Sequence, residues 1–203
     1  MTKKIRVYID GENFRKGVTR VLLEQAVVRN SRDMKDYDLS GLLRDILETQ
    51  NFSASYYASK IKLPNGYQPS GELKAHLATI KEYTRQWVPA LIRQHIVYVK
   101  AGYLKVTPSK ECRKCHSSQD ILQEKGVDVR LASDMLQDAY TTPTDTLVVF
   151  SSDSDLAPAM KKIADHGKTV VYVCFADSVN RSMVATASQT LTISPAKVKE
   201  YYR

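Results

Sequence analysis

Asp10, Asp128, Asp153 and Asp155 each stand where an apolar run or a turn gives way to a helical pattern. Asp10 closes Ile5-Arg-Val-Tyr-Ile-Asp10, and the later pair closes Thr146-Leu-Val-Val-Phe-Ser-Ser-Asp-Ser-Asp155. Short runs rich in β-branched and aromatic residues read as buried strands. In an open α/β sheet, ligands bind in the crevice beyond the carboxyl ends of such strands. Asp128, in Lys125-Gly-Val-Asp128, lies at a turn before a further helical pattern, where it can cap the helix. The four acids are therefore expected to converge. Packed carboxylates repel one another unless they are protonated or neutralised by a cation, and an oxygen-only set without His or Cys suits Mg²⁺ or Mn²⁺ rather than zinc. One or two such ions activate water and clamp a phosphodiester, so metal-dependent phosphodiester hydrolysis is the chemistry expected.

Each acid also has a plainer use. Asp10 can cap the helix that follows it. One of Asp153 and Asp155 is enough to cap a helix beginning at Leu156, which leaves the second without a structural task. Asp134 falls on another face beside Arg130 at i, i+4 spacing, where an ion pair is the simple explanation, and at most it would hold a ligand in place. A competing chemistry makes Asp10 a nucleophile toward phosphomonoesters with Glu12 as its partner acid, but it needs a lysine and a lid that the sequence does not single out.

The elements that position these acids follow from periodicity. A strand to Asp10 runs through the turn formers of Gly11-Glu-Asn13 into a helix carrying Phe14, Val18, Val21 and Leu22. A second helix spans about Ser40 to Thr49, a strand covers Phe52 to Ile61, and Leu73, Leu77, Ile80 and Tyr83 mark a third helix. Ile96 to Val99 is a short strand. From Gly102 to Lys125 the pattern fades, and this stretch is expected to be an insertion. Beyond it come a helix with Leu131, Met135 and Ala139, the strand to Ser151, a helix from Leu156 to His166 and the strand Thr169 to Phe175. A short helix near Val179 to Ala187, the strand Thr190 to Ile193 and a helix opened by Pro195 complete the order. Alternation of this kind predicts a parallel sheet covered on both faces.

A chain of 203 residues with 43% hydrophobic and 26% charged residues is long enough for one α/β domain with an insertion and short for two full domains. No apolar run is long enough to span a bilayer, and Met1-Thr-Lys-Lys lacks the apolar region of a secretory signal, so a cytoplasmic protein with no membrane partner is expected. Lys and Arg outnumber Asp and Glu by 30 to 22, a net charge of +8 that favours polyanionic partners, nucleic acid first. Lys74, Lys81 and Arg85, with Tyr83 and Trp87 among them, form a basic helical stretch suited to a phosphate backbone, although Trp87 is expected in the core. Lys114 lies in the insertion, the preferred substrate-contacting loop.

Cys112-Arg-Lys-Cys115-His116 has the form of a haem attachment sequence, which would need export. A zinc half-site fits better, with Cys112, Cys115 and His116 as ligands. The missing ligand would come from His76, His95 or His166, or from another copy of the chain in a homo-oligomer.

Taken together, Val7-Tyr-Ile-Asp-Gly-Glu-Asn13, Lys125-Gly-Val-Asp-Val-Arg-Leu-Ala-Ser-Asp134 and Val148-Val-Phe-Ser-Ser-Asp-Ser-Asp-Leu156 resemble the NYN family, in particular its LabA-like branch, within the PIN-like nucleases. The likeness continues through Leu156-Ala-Pro-Ala-Met160 and Gly167-Lys-Thr-Val-Val-Tyr172, and Tyr83-Thr-Arg-Gln86 followed by Gly102 is also similar to that branch. The resemblance implies one domain over residues 1–203, with the insertion at about 102–125, folded as a Rossmann-like α/β/α sandwich with a mainly parallel central sheet. It implies that Asp10, Asp128, Asp153 and Asp155 bind Mg²⁺ or Mn²⁺ and cleave nucleic acid strands, RNA in preference to DNA. Asn13 looks like the family's asparagine, which by its chemistry can hold a ligand carboxylate or a phosphate oxygen; a turn residue with a local backbone bond is the plainer alternative. Ser152 stands where many relatives carry Gly and adds a side chain beside the metal site. The alternative is a regulatory adaptor that binds nucleic acid and keeps the acidic pocket without efficient catalysis.

Overall fold

In the computed structural model, which describes residues 3–28, 33–63, 65–69, 71–108 and 120–203, the strand Ile5–Asp10 (β1) lies at the centre of a seven-stranded sheet. On one side come Phe52–Lys62 (β2), Ile96–Pro108 (β3) and Asp120–Lys125 (β4). On the other come Thr146–Phe150 (β5), Thr169–Phe175 (β6) and Gln189–Ile193 (β7), giving the order β4-β3-β2-β1-β5-β6-β7. Every pairing is parallel except β3 with β4. The chain fills one side before crossing to the other, so the direction of winding reverses between β1 and β5. Such a reversal leaves a crevice between the crossover connections, beyond the carboxyl ends of the two strands.

The alternation of strand side chains divides the core into two layers. Val7 and Ile9 of β1, Val148 and Phe150 of β5 and Val171 and Val173 of β6 face one layer. They meet Phe14, Val18 and Leu22 of the helix Gly11–Glu24 (α1), Leu42 of Leu39–Ile46 (α2) and Trp87 of Gly71–Arg93 (α3). Tyr8, Leu147, Val149 and Tyr172 face the other. There they pack on Leu131 and Met135 of Val127–Thr141 (α4), Met160 and Ile163 of Ala157–Asp165 (α5) and Met183 of Arg181–Thr186 (α6). Pro195–Glu200 (α7) closes the chain against the first layer through Val198. The result is the expected α/β/α sandwich with a mainly parallel sheet. No described helix is long and apolar enough to cross a membrane.

The stretch expected as an insertion is in part regular sheet. β3 runs to Pro108 rather than ending near Val99, and β4 returns antiparallel to it, pairing Tyr103 with Lys125 and Pro108 with Asp120. β2 likewise continues past Tyr57, the partner of Asp10, so β2, β3 and β4 project beyond the end of β1 as a wing. A small core of Leu73, Leu77 and Val106, with Ile61 and Leu122 beside it, holds the wing to the first turns of α3. Periodicity fails at β4 because all but one of its residues are exposed at the sheet edge, so no apolar face marks it. Cys112, Lys114, Cys115 and His116 lie outside the described residues.

Candidate active site at the strand reversal

Register places the acids together. Ile9 pairs with Phe150, so the next residues, Asp10 and Ser151, emerge side by side at the reversal point. Asp10 is buried at 8% exposure and is the N-cap of α1, accepting from the Asn13 backbone N–H at 3.1 Å. Its other oxygen accepts from Asn13 Nδ2 at 2.5 Å and from the Ser151 hydroxyl at 3.0 Å. Its cap role and its place in the cleft therefore coexist. Gly11 is required here by close approach, since a Cβ would stand 2.4 Å from the Tyr56 ring and 2.6 Å from the Tyr57 carbonyl oxygen.

Asn13 is oriented by its neighbours. Ser152 Oγ donates to Asn13 Oδ1 at 2.6 Å, which turns the amide N–H₂ toward Asp10 and Ser151. Ser152 thus serves as a support for the asparagine, and its own carbonyl accepts from Asn180 Nδ2 at 3.0 Å. Ser151, buried and not singled out from sequence, also accepts from the Asp153 backbone N–H at 3.1 Å, tying β1 to the loop after β5.

Asp153 caps the 3₁₀ turn Ser154–Leu156, accepting from the Asp155 backbone N–H at 3.0 Å. From the opposite layer, the first turn of α4 brings in Asp128. One carboxylate oxygen from each of Asp128, Asp153 and Asp155 lies within 4.8 Å of the others, close enough for one cation. Asp128 is not the cap of α4. Gly126 holds that position at φ +83°, a left-handed conformation that glycine adopts freely, and this leaves the Asp128 carboxylate uncommitted to capping. Asp10 and Asn13 join Asp128 and Asp153 in the wall of a cleft of about 260 Å³, with Glu12, Lys16 and Glu124 on its margin.

Electrostatics mark the cleft as anionic. Burial raises the Asp10 pKa above the usual aspartate value and the nearby Asp153 charge adds to this, while the bonds from Asn13 and Ser151 oppose it. Partial desolvation of its head group also raises Glu124, although the residue as a whole is exposed; the charges of Glu12 and Asp10 act in the same direction, against its bond from Ser59. Glu12 behaves oppositely. Burial pushes it up, but hydrogen bonds and charge from Arg15 and Lys16 outweigh this and hold it below the ordinary glutamate value.

The structure does not bring every expected residue to this place. Asp134 is held by Arg130 Nε at 2.8 Å and the Tyr57 hydroxyl at 3.1 Å, outside the cleft lining, as the ion-pair reading has it. Lys74, Lys81 and Arg85 are exposed on α3, with Arg85 paired to Glu82, and none lines the cleft or the two cavities beside it. Lys16 instead lines all three, next to Arg15 in one and Arg20 in another. The i, i+3 and i+4 spacing of Glu12, Arg15 and Lys16 was the available sequence signal, and it reads equally well as a surface ion-pair set. Trp87 is in the core at 1% exposure, as expected.

Among solved structures, that of a protein of unknown function from Vibrio parahaemolyticus is similar over 94% of this chain and 93% of that chain, at 16% sequence identity and a TM-score of 0.47. No curated protein matches the sequence. The model of the NYN domain matches residues 4–194, a span that takes in β1, the wing, the strand reversal and all four aspartates. NYN domains are a PIN-like nuclease family, and an acidic cluster at the strand reversal accords with a nuclease role. By that match over nearly its whole length, the chain belongs to the NYN domain family.

Proposed function

We propose that this protein is a metal-dependent nuclease of the LabA-like branch, hydrolysing phosphodiester bonds in single-stranded RNA in preference to DNA. The reading is carried by the meeting of Asp128, Asp153 and Asp155 within 4.8 Å, the first two of which line a cleft with Asp10 while Asp155 stands outside its lining. These donors are all carboxylate oxygens, which fit a hard divalent cation, and they would hold Mg²⁺ or Mn²⁺ between α4 and the loop after β5. When bound, such an ion supplies Lewis-acid polarisation of the scissile phosphate and offsets the charge that builds during hydrolysis.

The remaining tasks fall to the protein itself. Asn13, Ser151 and Ser152 fix the Asp10 carboxylate in one orientation through the hydrogen bonds described above. Lys16 stands on the border of the cleft, 3.3 Å from Glu12, where an ammonium attracts the phosphate backbone that the acids alone would repel. A narrow anionic cleft with a cationic border suits a flexible strand that can thread in. Zinc on Cys112, Cys115 and His116 is a separate proposal, expected as about one equivalent per chain in metal analysis.

The test is incubation of purified protein with labelled single- and double-stranded RNA and DNA in Mn²⁺, Mg²⁺ or chelator. Cleavage of single-stranded RNA that stops in chelator is the expected result. Retention of nucleic acid without cleavage in either metal would select the regulatory adaptor instead, and cleavage indifferent to chelator would remove the metal from the proposal.

A further inference from the structure

Next to the acidic cleft lies a larger cavity of about 570 Å³, enclosed by the wing and α3. Its size falls within the range of ~300–1,000 Å³ common for small-molecule sites. Tyr56, Tyr83, Tyr98 and Trp87 line it together with aliphatic Ile80 and Leu104. Tyr98 stacks on Tyr56 at 6.3 Å between centroids, and Tyr83 on Trp87 at 6.4 Å, so the wall is built of paired rings. Ser59 and Thr84 add hydroxyl oxygens that can accept, their own protons being donated to Glu124 at 2.7 Å and to the Ile80 carbonyl at 2.8 Å. The cavity shares Glu12, Lys16 and Glu124 with the acidic cleft, which makes the two spaces neighbours across a charged threshold.

We propose that this cavity receives one unpaired nucleobase of the strand whose phosphate lies in the acidic cleft. The inference rests on the nucleic-acid reading above and extends it to a base-binding subsite. Arg15 and Lys16 pair with Glu12 at the threshold, so its charges are largely balanced, and it is the aromatic lining beyond them that favours the uncharged, planar part of a nucleotide. Lys16 at the same border holds the phosphate outside, between the two spaces. Aromatic walls with hydroxyl groups suit a heteroaromatic ring, which stacks and also offers hydrogen-bonding edges. A paired and stacked base cannot enter without leaving its helix, so the cavity selects against duplex.

Trp87 is the protein's single tryptophan and lines the cavity, so its fluorescence reports occupancy. Adenosine and uridine 5′-monophosphates, titrated in Ca²⁺, are expected to change the emission and saturate, whereas ribose 5-phosphate binds at least about tenfold more weakly, the scale of a lost base–aromatic stack. Ile80→Phe narrows the cavity without adding a tryptophan and is expected to weaken both nucleotides about tenfold with an unchanged Tm. Tyr98→Leu, which removes a ring without filling the space, serves as the second variant should Ile80→Phe fold poorly. Equal binding of ribose 5-phosphate, or wild-type nucleotide affinity in both folded variants, would overturn the subsite. Base-dependent binding without metal-dependent cleavage would leave the subsite standing and remove the nuclease reading. Cleavage without base dependence would do the reverse.

Discussion

Asp10 accepts hydrogen bonds from the Asn13 main chain, the Asn13 side chain and Ser151, within a sheet packed on both faces. A short distance away, the wing that walls the aromatic cavity rests on Leu73, Leu77 and Val106, and its edge strand is almost wholly exposed. Asp10 and Asp153 are thus fixed by short connections at the ends of buried strands, and Asp128 by the first turn of α4, a helix packed on the main core. The cavity is shaped by strands that have run past the support of the main core. Groups that must meet a cation need fixed positions, whereas a wall that accepts different bases benefits from lower local stability. On the proposed reading, chemistry belongs to the first region and substrate choice to the second.

The largest expected effect tests the first half of that contrast. Asp153→Asn should lower metal-dependent cleavage by more than about a hundredfold, beyond the ~10–100-fold cost typical of losing a residue that merely orients a ligand. Circular dichroism should show a folded protein. Wild-type cleavage by the purified variant would break the assignment.

A pair of truncations addresses packing. Leu131→Ala, in the main core at 0% exposure, should cost ~2–5 kcal/mol of stability, while Leu77→Ala, in the small core of the wing, should fall near or below the ~2 kcal/mol end of that range. Hydrogen exchange should show the Leu77 variant losing protection in β3 and β4 but not in β1 and β5. Equal global destabilisation would mean that the wing and the main core unfold as one unit.

Smaller effects separate the supports of Asp10. Asn13→Ala should weaken Mn²⁺ affinity or cleavage about 10–100-fold, and Ser152→Gly, which only frees the Asn13 amide, should sit at or below the lower end. Calorimetric Mn²⁺ titration gives the order directly. A larger loss from Ser152→Gly would show that this hydroxyl does more than orient Asn13.

The smallest effect is one of pH. The folded pKa of Asp10 is raised, so in chelator its contribution to stability is fully present below the ordinary aspartate value and is lost as pH rises through the raised one. The Tm of the wild type minus that of Asp10→Asn should therefore fall from acid to neutral pH in chelator. Mn²⁺ should reverse the fall for the wild type at neutral pH. A difference that rose with pH would mean that hydrogen bonding to Asp10 outweighs its burial.

The main sheet and its carboxylates were legible in the sequence because β1 and β5 are buried over most of their length and read as apolar runs, interrupted in β1 by Arg6, that lead into acids. Trp87 was legible as core for a related reason, since its helix carries a clear apolar stripe. Glu124 was not. It reaches the cleft through the antiparallel pairing of β4, an edge strand with no apolar face to give it away. Ser151 looked like an ordinary loop serine because its value lies in two hydrogen bonds across the strand reversal, which no local pattern encodes. The cap of α4 is Gly126, two residues before the Asp128 that sequence favours, since Asp128 has the capping chemistry while Gly126 has the backbone freedom.

The pairing of β2 with β3 shifts between Ala58 and Ser59, where Ala101 of β3 has no partner. Because of that shift, consecutive residues Ala58 and Ser59 both line the aromatic cavity, and beyond it Ile61 rather than Lys60 or Lys62 packs toward α3. Side chains alternate strictly along an uninterrupted strand, so a one-residue slip exchanges every face beyond it. Deleting Ala101 would restore even pairing and turn Lys60 and Lys62 toward the space now lined by Ser59 and Ile61. Tyr56 and Tyr98 precede the shift and Tyr83 and Trp87 stand on α3, so a single lost codon would add lysines to the recess while leaving its rings in place.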